Sequence, residues 1–179
     1  MAFGCDYYRV TIGRQRLATY IGVYMSHISA RVALAGEYLA ASYLMRFCDS
    51  VIIAPEGHKS DLILDHQGQL YKIQVKTTNS LYKKDGTDYY RWDFRSNADN
   101  KRKNKMLRYG SGQVDIFCLV ALPIDKVLFL PFDQVQNSIA KSLEALKKID
   151  SEESLINALL EINKIPNLEP IDATTESDI

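Results

Sequence analysis

No stretch of this sequence approaches the ~18–20 consecutive apolar residues that a membrane-crossing helix needs, and its N-terminus has no basic region followed by an apolar run. Neither a membrane protein nor a secretory leader is expected. Cysteine is scarce: Cys5, Cys48 and Cys118 lie far apart with no CxxC or Cys/His spacing, which excludes a zinc finger and a disulfide framework. Free thiols in a reducing cytoplasm are the expected state. Histidine is equally sparse. His58 and His66 flank Asp61, but solvent-facing loop positions are expected for them, and His27 stands alone. The chain has no phosphate-cradling glycine loop, no dinucleotide fingerprint and no internal repeat. It also has no net charge, with 22 basic residues against 22 acidic ones.

A chain of 179 residues with ordinary apolar content is long enough for one domain with a proper core. Its most informative stretch is Ser60 to Thr77, SDLILDHQGQLYKIQVKT. Asp61 opens a short apolar strand through Leu62, Ile63 and Leu64; His66, Gln67 and Gly68 supply a turn; Leu70, Ile73 and Val75 continue a second strand. Strand side chains alternate between faces, so Tyr71, Ile73 and Val75 share one face while Lys72, Gln74 and Lys76 share the other. A hairpin brings the Asp61 end of one strand beside Gln74 and Lys76. A carboxylate, a carboxamide and an ammonium then meet at one end of a sheet, a set that suits a hard cation next to a phosphate. On this stretch alone, a solvated hairpin fits equally well.

A second carboxylate bears on that choice. His27 to Phe47 is rich in helix formers and predicts a helix. Stepping ~100° per residue, Glu37 shares a face with Ala30, Ala33, Leu34, Ala40, Ala41 and Leu44. A carboxylate centred on a packing face is costly unless it is paired or metal-bound. The helix leads into a strand over Val51–Ala54 and then into the hairpin, so Glu37 is expected to pack toward Asp61, Gln74 and Lys76.

A helical Glu37, then Ser60-Asp61, then Gln74-Val75-Lys76: this order resembles the PD-(D/E)xK nuclease superfamily over roughly residues 30–77. The Q-x-K ending is similar to the branch containing the group I intron-encoded homing endonuclease of cyanobacteria; archaeal Holliday-junction resolvases carry a related set with E-x-K. Ser60 stands where the pattern has proline, and Gln74 replaces the second acidic ligand with an uncharged amide oxygen. The resemblance implies an α/β restriction-endonuclease-like core, a central mixed β-sheet flanked by helices, with the helix of Glu37 on one face and later helices on the other. It implies a divalent-metal-dependent DNA endonuclease, a homing-type duplex cutter first and a junction resolvase second. Mg²⁺, or Mn²⁺ in its place, would be held by Asp61, Gln74 and the Val75 carbonyl with support from Glu37, and Lys76 would orient the attacking water. It implies duplex or branched DNA as partner, at least a dimer, and a cytoplasmic setting of bacterial, phage or organellar origin. A catalytically inactive DNA-binding module and a protein-assembly role, with basic and acidic parts pairing between subunits, are the alternatives.

Charge is unevenly spread. Residues 72–108 hold eleven basic and four acidic side chains, and residues 144–179 hold three and nine. Within the basic part, Lys101, Arg102, Lys103, Lys105 and Arg108 make a candidate phosphate-binding loop or short helix with few interleaved aromatics. A solubilising loop is the plain alternative. Residues 1–166 are expected to form a single domain, with 1–26 as an N-terminal arm, 95–112 as a basic loop and 167–179 as an acidic flexible tail. In the arm, Tyr7–Ile12 reads as a strand and Leu17–Tyr24 as its partner. Leu81–Thr87 reads as a loop with an Asp85-Gly86 turn, and Tyr89–Phe94 as a third strand of the hairpin sheet. Gln113–Leu122 and Val127–Leu130 read as strands, with Asp115 either a strand-end charge or a neighbour of the site. Asp133 is expected to cap a short helix, and Ser138–Ile149 and Glu152–Ile162 to form amphipathic helices that Pro166 ends.

Overall fold

The computed structural model describes residues 14–55, 57–94, 109–110, 112–135 and 137–163, with side chains from residue 28 onward. A long helix, α1 (Arg14–Leu44), precedes strands β1 (Ser50–Ile53), β2 (Leu62–His66) and β3 (Gln69–Thr78). Then come β4 (Tyr82–Lys84), β5 (Thr87–Asp93), β6 (Ile116–Ala121), β7 (Lys126–Pro131), β8 (Ser138–Ser142), α2 (Leu143–Lys148) and α3 (Ser151–Ile162). Five strands form a mixed sheet in the order β1-β2-β3-β6-β7, and β4-β5-β8 form a second, smaller sheet. In the main sheet only the β3–β6 pair is parallel.

The β2–β3 hairpin forms as its alternation predicts, with Leu62 opposite Ile73 and Leu64 opposite Tyr71. Its two-residue turn puts Gln67 and Gly68 at φ of 54° and 75°, the pair of positive φ values that matches the twist of the flanking strands. Beside β3 runs β6, which is buried along its whole length. Ile116, Cys118 and Val120 face one core with Ile73 and Val75, while Phe117, Leu119 and Ala121 face the other. A strand covered on both sides needs apolar residues at every position, hence the unbroken run IFCLVA.

The first core lies under α1 and α3: Ala40, Ala41 and Leu44 from α1 meet Leu155, Ala158 and Leu159 from α3 across Leu62, Leu64, Ile73 and Val75. Ser151 Oγ donates to the Val127 carbonyl (2.6 Å) and the Phe129 N–H donates to Ser154 Oγ (3.1 Å). These bonds tie α3 to β7 and satisfy polar groups on a sheet edge. The second core lies between the main sheet and the small one, where Tyr90, Trp92 and Phe94 meet Phe117, Leu119, Leu128 and Leu146.

Several expectations are corrected. The helix starts by Arg14, so Leu17–Tyr24 is helical and not a partner strand; it ends at Leu44, with residues 45–47 in a turn. Its packing stripe begins at Gly36, since Ala30, Ala33 and Leu34 are exposed. Glu37 is therefore half-buried at the edge of the contact instead of central in it. α3 lies on the same face as α1, not the opposite one, and the other face is covered by the small sheet and Leu146 of α2. Tyr89–Phe94 does not extend the hairpin sheet, because β6 occupies the free edge of β3; β5 is instead the central strand of the small sheet. The 81–87 segment contains β4, with Asp85-Gly86 as the turn of a second tight hairpin. Ser138–Ile149 is a strand followed by a helix: Ser138–Ser142 pairs with β5, and Ser142 caps α2 by accepting from the Ala145 N–H. Asp133 is not an N-cap among the described residues; it sits inside a 3-10 turn over Phe132–Gln134 that follows Pro131. The segments 1–13, 95–108 and 164–179, with the Tyr7–Ile12 strand, Pro166 and the acidic tail, lie outside the described residues.

Candidate active site

Asp61 sits immediately before β2, at the end of the sheet. Its N–H donates to the Ile73 carbonyl (2.9 Å) and its own carbonyl accepts from the Ala54 N–H (2.8 Å), so its backbone is fixed on both sides. Just upstream, Ser60 is buried at 2% exposure, and its N–H and Oγ lie 3.2 and 2.8 Å from His58 Nδ1. His58 is an exposed loop residue, as expected, and with Ser60 it closes the turn that leads into Asp61. Where the PD-(D/E)xK pattern shapes this backbone with proline, here a side-chain hydrogen bond holds it.

Asp61 Oδ2 accepts from the Val75 N–H (2.7 Å) and, through a short contact, from Gln74 Nε2. Gln74 Nε2 also lies 3.5 Å from the Val75 carbonyl oxygen. The amide nitrogen thus occupies the gap between a carboxylate and a carbonyl, two oxygen donors that a hard cation would bridge. Gln74 is almost fully buried, at 8% exposure, so its amide has few places to go. Turned about its last torsion, it would present Oε1 to the same gap.

Glu37 reaches this group from α1. Burial raises its pKa above the ordinary carboxylate value, and the charge of Asp61 raises it further. The Asp61 pKa is raised as well, by burial first; the Val75 N–H, the Lys76 charge and the Gln74 amide each act the other way. Both shifts mark a site where ionised carboxylates lack compensation in the bare chain. Among the described residues no cluster of three His, Cys, Asp or Glu forms, because the set consists of two carboxylates, one amide and one backbone carbonyl. All four are oxygen donors, the chemistry that suits Mg²⁺.

Lys76 is two residues beyond Gln74 on the same face of β3, and its Nζ donates to the Tyr109 hydroxyl at 2.8 Å. Tyr109 packs edge-on against Phe117 (5.4 Å between ring centroids, 76° between planes), and Phe117 is the register partner of Gln74. Neither Tyr109 nor Gly36, whose missing side chain lets α1 approach Thr77, was singled out from sequence. Asp115 is a strand-end group: its Oδ2 accepts from the Lys72 N–H at 2.7 Å. His66, expected in a solvent-facing loop, is instead the last residue of β2 and is half-buried, at the turn end and away from Asp61. Lys101, Arg102, Lys103, Lys105 and Arg108 lie outside the described residues.

A central mixed sheet with helices packed on it is the architecture of restriction-endonuclease-like proteins. The family model for the PD-(D/E)XK endonuclease matches residues 40–158, well over half of the chain, and the chain belongs to that family. No curated protein matches it. Among solved structures it is similar to that of a bacterial homing endonuclease, I-Ssp6803I, with a TM-score of 0.57 and 18% identity over 74% of this chain and 93% of the other. At that identity the likeness is one of fold.

Proposed function

We propose that this PD-(D/E)XK endonuclease hydrolyses phosphodiester bonds in DNA with a divalent metal, as a homing-type cutter of duplex DNA. The observation that carries the proposal is the Gln74 amide set between Asp61 Oδ2 and the Val75 carbonyl, with Lys76 next along the same face. Asp61, the Val75 carbonyl, Gln74 through Oε1, and Glu37 would hold Mg²⁺, with Mn²⁺ as a substitute. The metal would supply a nucleophile at neutral pH and neutralise charge on the phosphate. Asp61 contributes the principal negative charge, and its rigid backbone keeps that charge in place. Glu37 adds a second carboxylate from the helix. Lys76 keeps an ammonium beside the reacting phosphate, where it orients the attacking water and stabilises the charge that develops.

The basic residues Lys101, Arg102, Lys103, Lys105 and Arg108 would hold DNA phosphates, and residues 1–166 would act as one domain. A duplex cutter must reach two strands, so the working form is at least a dimer. A second reading, a DNA-binding module without catalysis, draws on the same amide: in the bare chain Gln74 turns its nitrogen, not its oxygen, toward Asp61. A cleavage panel of linear duplex, four-way junction and flap DNA, with Mg²⁺ or with EDTA, separates these. Metal-dependent cutting of the duplex is expected. Preferential cutting of the junction would make the protein a resolvase, and binding without cutting of any substrate would support the inactive module.

A further inference from the structure

We propose that Tyr109 is the positioning residue for Lys76, holding its ammonium toward the site through a neutral hydrogen-bond acceptor. The proposal rests on the role given to Lys76 above. A lysine head sits on a flexible four-carbon stem whose rotamer freedom must be given up to fix it. Lys76 lies on β3 where one side is core, and among the described residues its ammonium makes one hydrogen bond, to the Tyr109 hydroxyl at 2.8 Å.

That hydroxyl is rigidly carried. The Tyr109 ring stands edge-on to Phe117, which is 2% exposed and is itself held by Phe94 (centroids 4.9 Å apart, 71°) and Phe132 (6.1 Å, 19°). The backbone beyond Tyr109 is closed by a turn in which the Gly110 N–H donates to Gln113 Oε1 (2.9 Å) and the Gln113 N–H donates to the Gly110 carbonyl (3.1 Å). Lys72 Nζ donates to the Gly112 carbonyl (2.8 Å) and ties that turn back to β3. An aromatic wall and a tied turn therefore deliver one oxygen to one ammonium.

The chemistry of that oxygen matters. A carboxylate partner would hold Lys76 equally well but would cancel its charge. A phenol accepts one hydrogen bond and leaves the ammonium its full charge and two further N–H donors. Those donors and that charge are what an attacking water and a phosphate oxygen require.

The test is Tyr109→Phe, which keeps the ring against Phe117 and removes only the hydroxyl. With Mg²⁺ and saturating duplex, the single-turnover rate should fall by about 10- to 100-fold, with unchanged duplex affinity and thermal midpoint. In a cycle with Lys76→Ala, the double variant should be no slower than Lys76→Ala alone, because Tyr109 acts only through the lysine. A further loss of the same factor in the double variant would overturn the proposal, and so would a wild-type rate in Tyr109→Phe. A second measurement needs no cleavage: limited acylation of lysines followed by peptide mass spectrometry. Lys76 should be modified several-fold faster in Tyr109→Phe while Lys72 is unaffected. Equal Lys76 modification in both proteins would show that the hydroxyl does not hold it. If the wild type cuts no DNA, the nuclease proposal fails while the acylation result still decides the role of Tyr109.

Discussion

Gly36 of α1 faces Thr77 of β3 so closely that a side chain at position 36 has no room: a Cβ there would lie 2.8 Å from both Cβ and Cγ2 of Thr77 and nearer still to Oγ1. Each residue neighbours a candidate catalytic group, Glu37 on the helix and Lys76 on the strand. The contact therefore sets how far the Glu37 carboxylate stands from the Asp61–Gln74 pair. Gly36→Ala must push α1 away or turn the Thr77 side chain into its surroundings, an overpacking that costs about 1–3 kcal/mol. Chemical denaturation should show that loss, and metal affinity should fall with it as Glu37 is displaced. A variant as stable as the wild type with full metal affinity would show that the helix position is unimportant to the site.

Lys76→Ala should remove cleavage and leave Mg²⁺ and DNA binding nearly intact. The ammonium lies beside the proposed metal-holding groups and is not one of them. Loss of a charge contact made in the transition state costs on the order of 100- to 1000-fold in rate. Single-turnover cleavage measures it directly, and a rate near that of the wild type would remove Lys76 from the mechanism.

The two carboxylates make a pH prediction whose sign is set by burial. Glu37 and Asp61 are both raised above their ordinary values of 4.5 and 3.8, so the folded chain binds their protons more tightly than the unfolded chain does. Their contribution to stability is complete below those ordinary values and is lost as pH rises through the raised ones. The metal-free protein should therefore lose stability over that interval, and Glu37→Gln should lose less. Added Mg²⁺ should oppose the loss by compensating the ionised carboxylates, with release of protons on binding. Asp61→Asn should abolish metal-dependent activity, because it removes the proposed principal charged ligand. Thermal midpoints against pH, with and without Mg²⁺, test the first part, and calorimetric titration of Mg²⁺ tests the second. A pH profile of Glu37→Gln that overlays the wild type, or an unchanged metal affinity in Asp61→Asn, would contradict the assignment.

The part of this architecture legible in the sequence is the part governed by local rules. Alternation and a turn over His66, Gln67 and Gly68 were enough to place Gln74 and Lys76 on one face with Asp61 beside them, since strand parity fixes the face; the structure shortens that turn to Gln67-Gly68 and keeps His66 in β2. The helix of Glu37 was legible for the same reason. Partner choice between distant segments was not. Nothing local in Tyr89–Phe94 says that it must leave the hairpin sheet; β6, more than twenty residues later, is buried on both faces and takes the edge of β3. Ser138–Ser142 reads equally as the first turn of a helix, and its pairing with β5 overrides that preference. Tyr109 and Gly36 were hidden for a related reason: each matters through one contact across 33 or 41 positions of chain, with Lys76 and Thr77, and no periodicity announces it.

The last prediction concerns the basic block. Phe94 and Tyr109 both pack against one ring, that of Phe117. Phe117 is in register with Gln74, so Phe94 and Tyr109 stand on the side of the sheet that carries Gln74. Lys101, Arg102, Lys103, Lys105 and Arg108 fall between Phe94 and Tyr109 in the sequence and are proposed to hold the phosphates of DNA that enters the site. They carry charge without an amide-rich or aromatic reading surface, so they should anchor phosphates while sequence or shape is read elsewhere. Each neutralised phosphate contributes roughly −0.9 to the slope of log affinity against log salt on duplex DNA. Converting Lys101, Arg102 and Lys103 together to alanine should flatten that slope by about two to three units. Cognate and random duplex should weaken by similar factors, so that their ratio is nearly fixed. An unchanged slope would mean that the block does not touch DNA and only solubilises the loop. A fall in cognate binding with random binding preserved would mean that these residues read bases, and the division between anchoring and recognition would have to be redrawn.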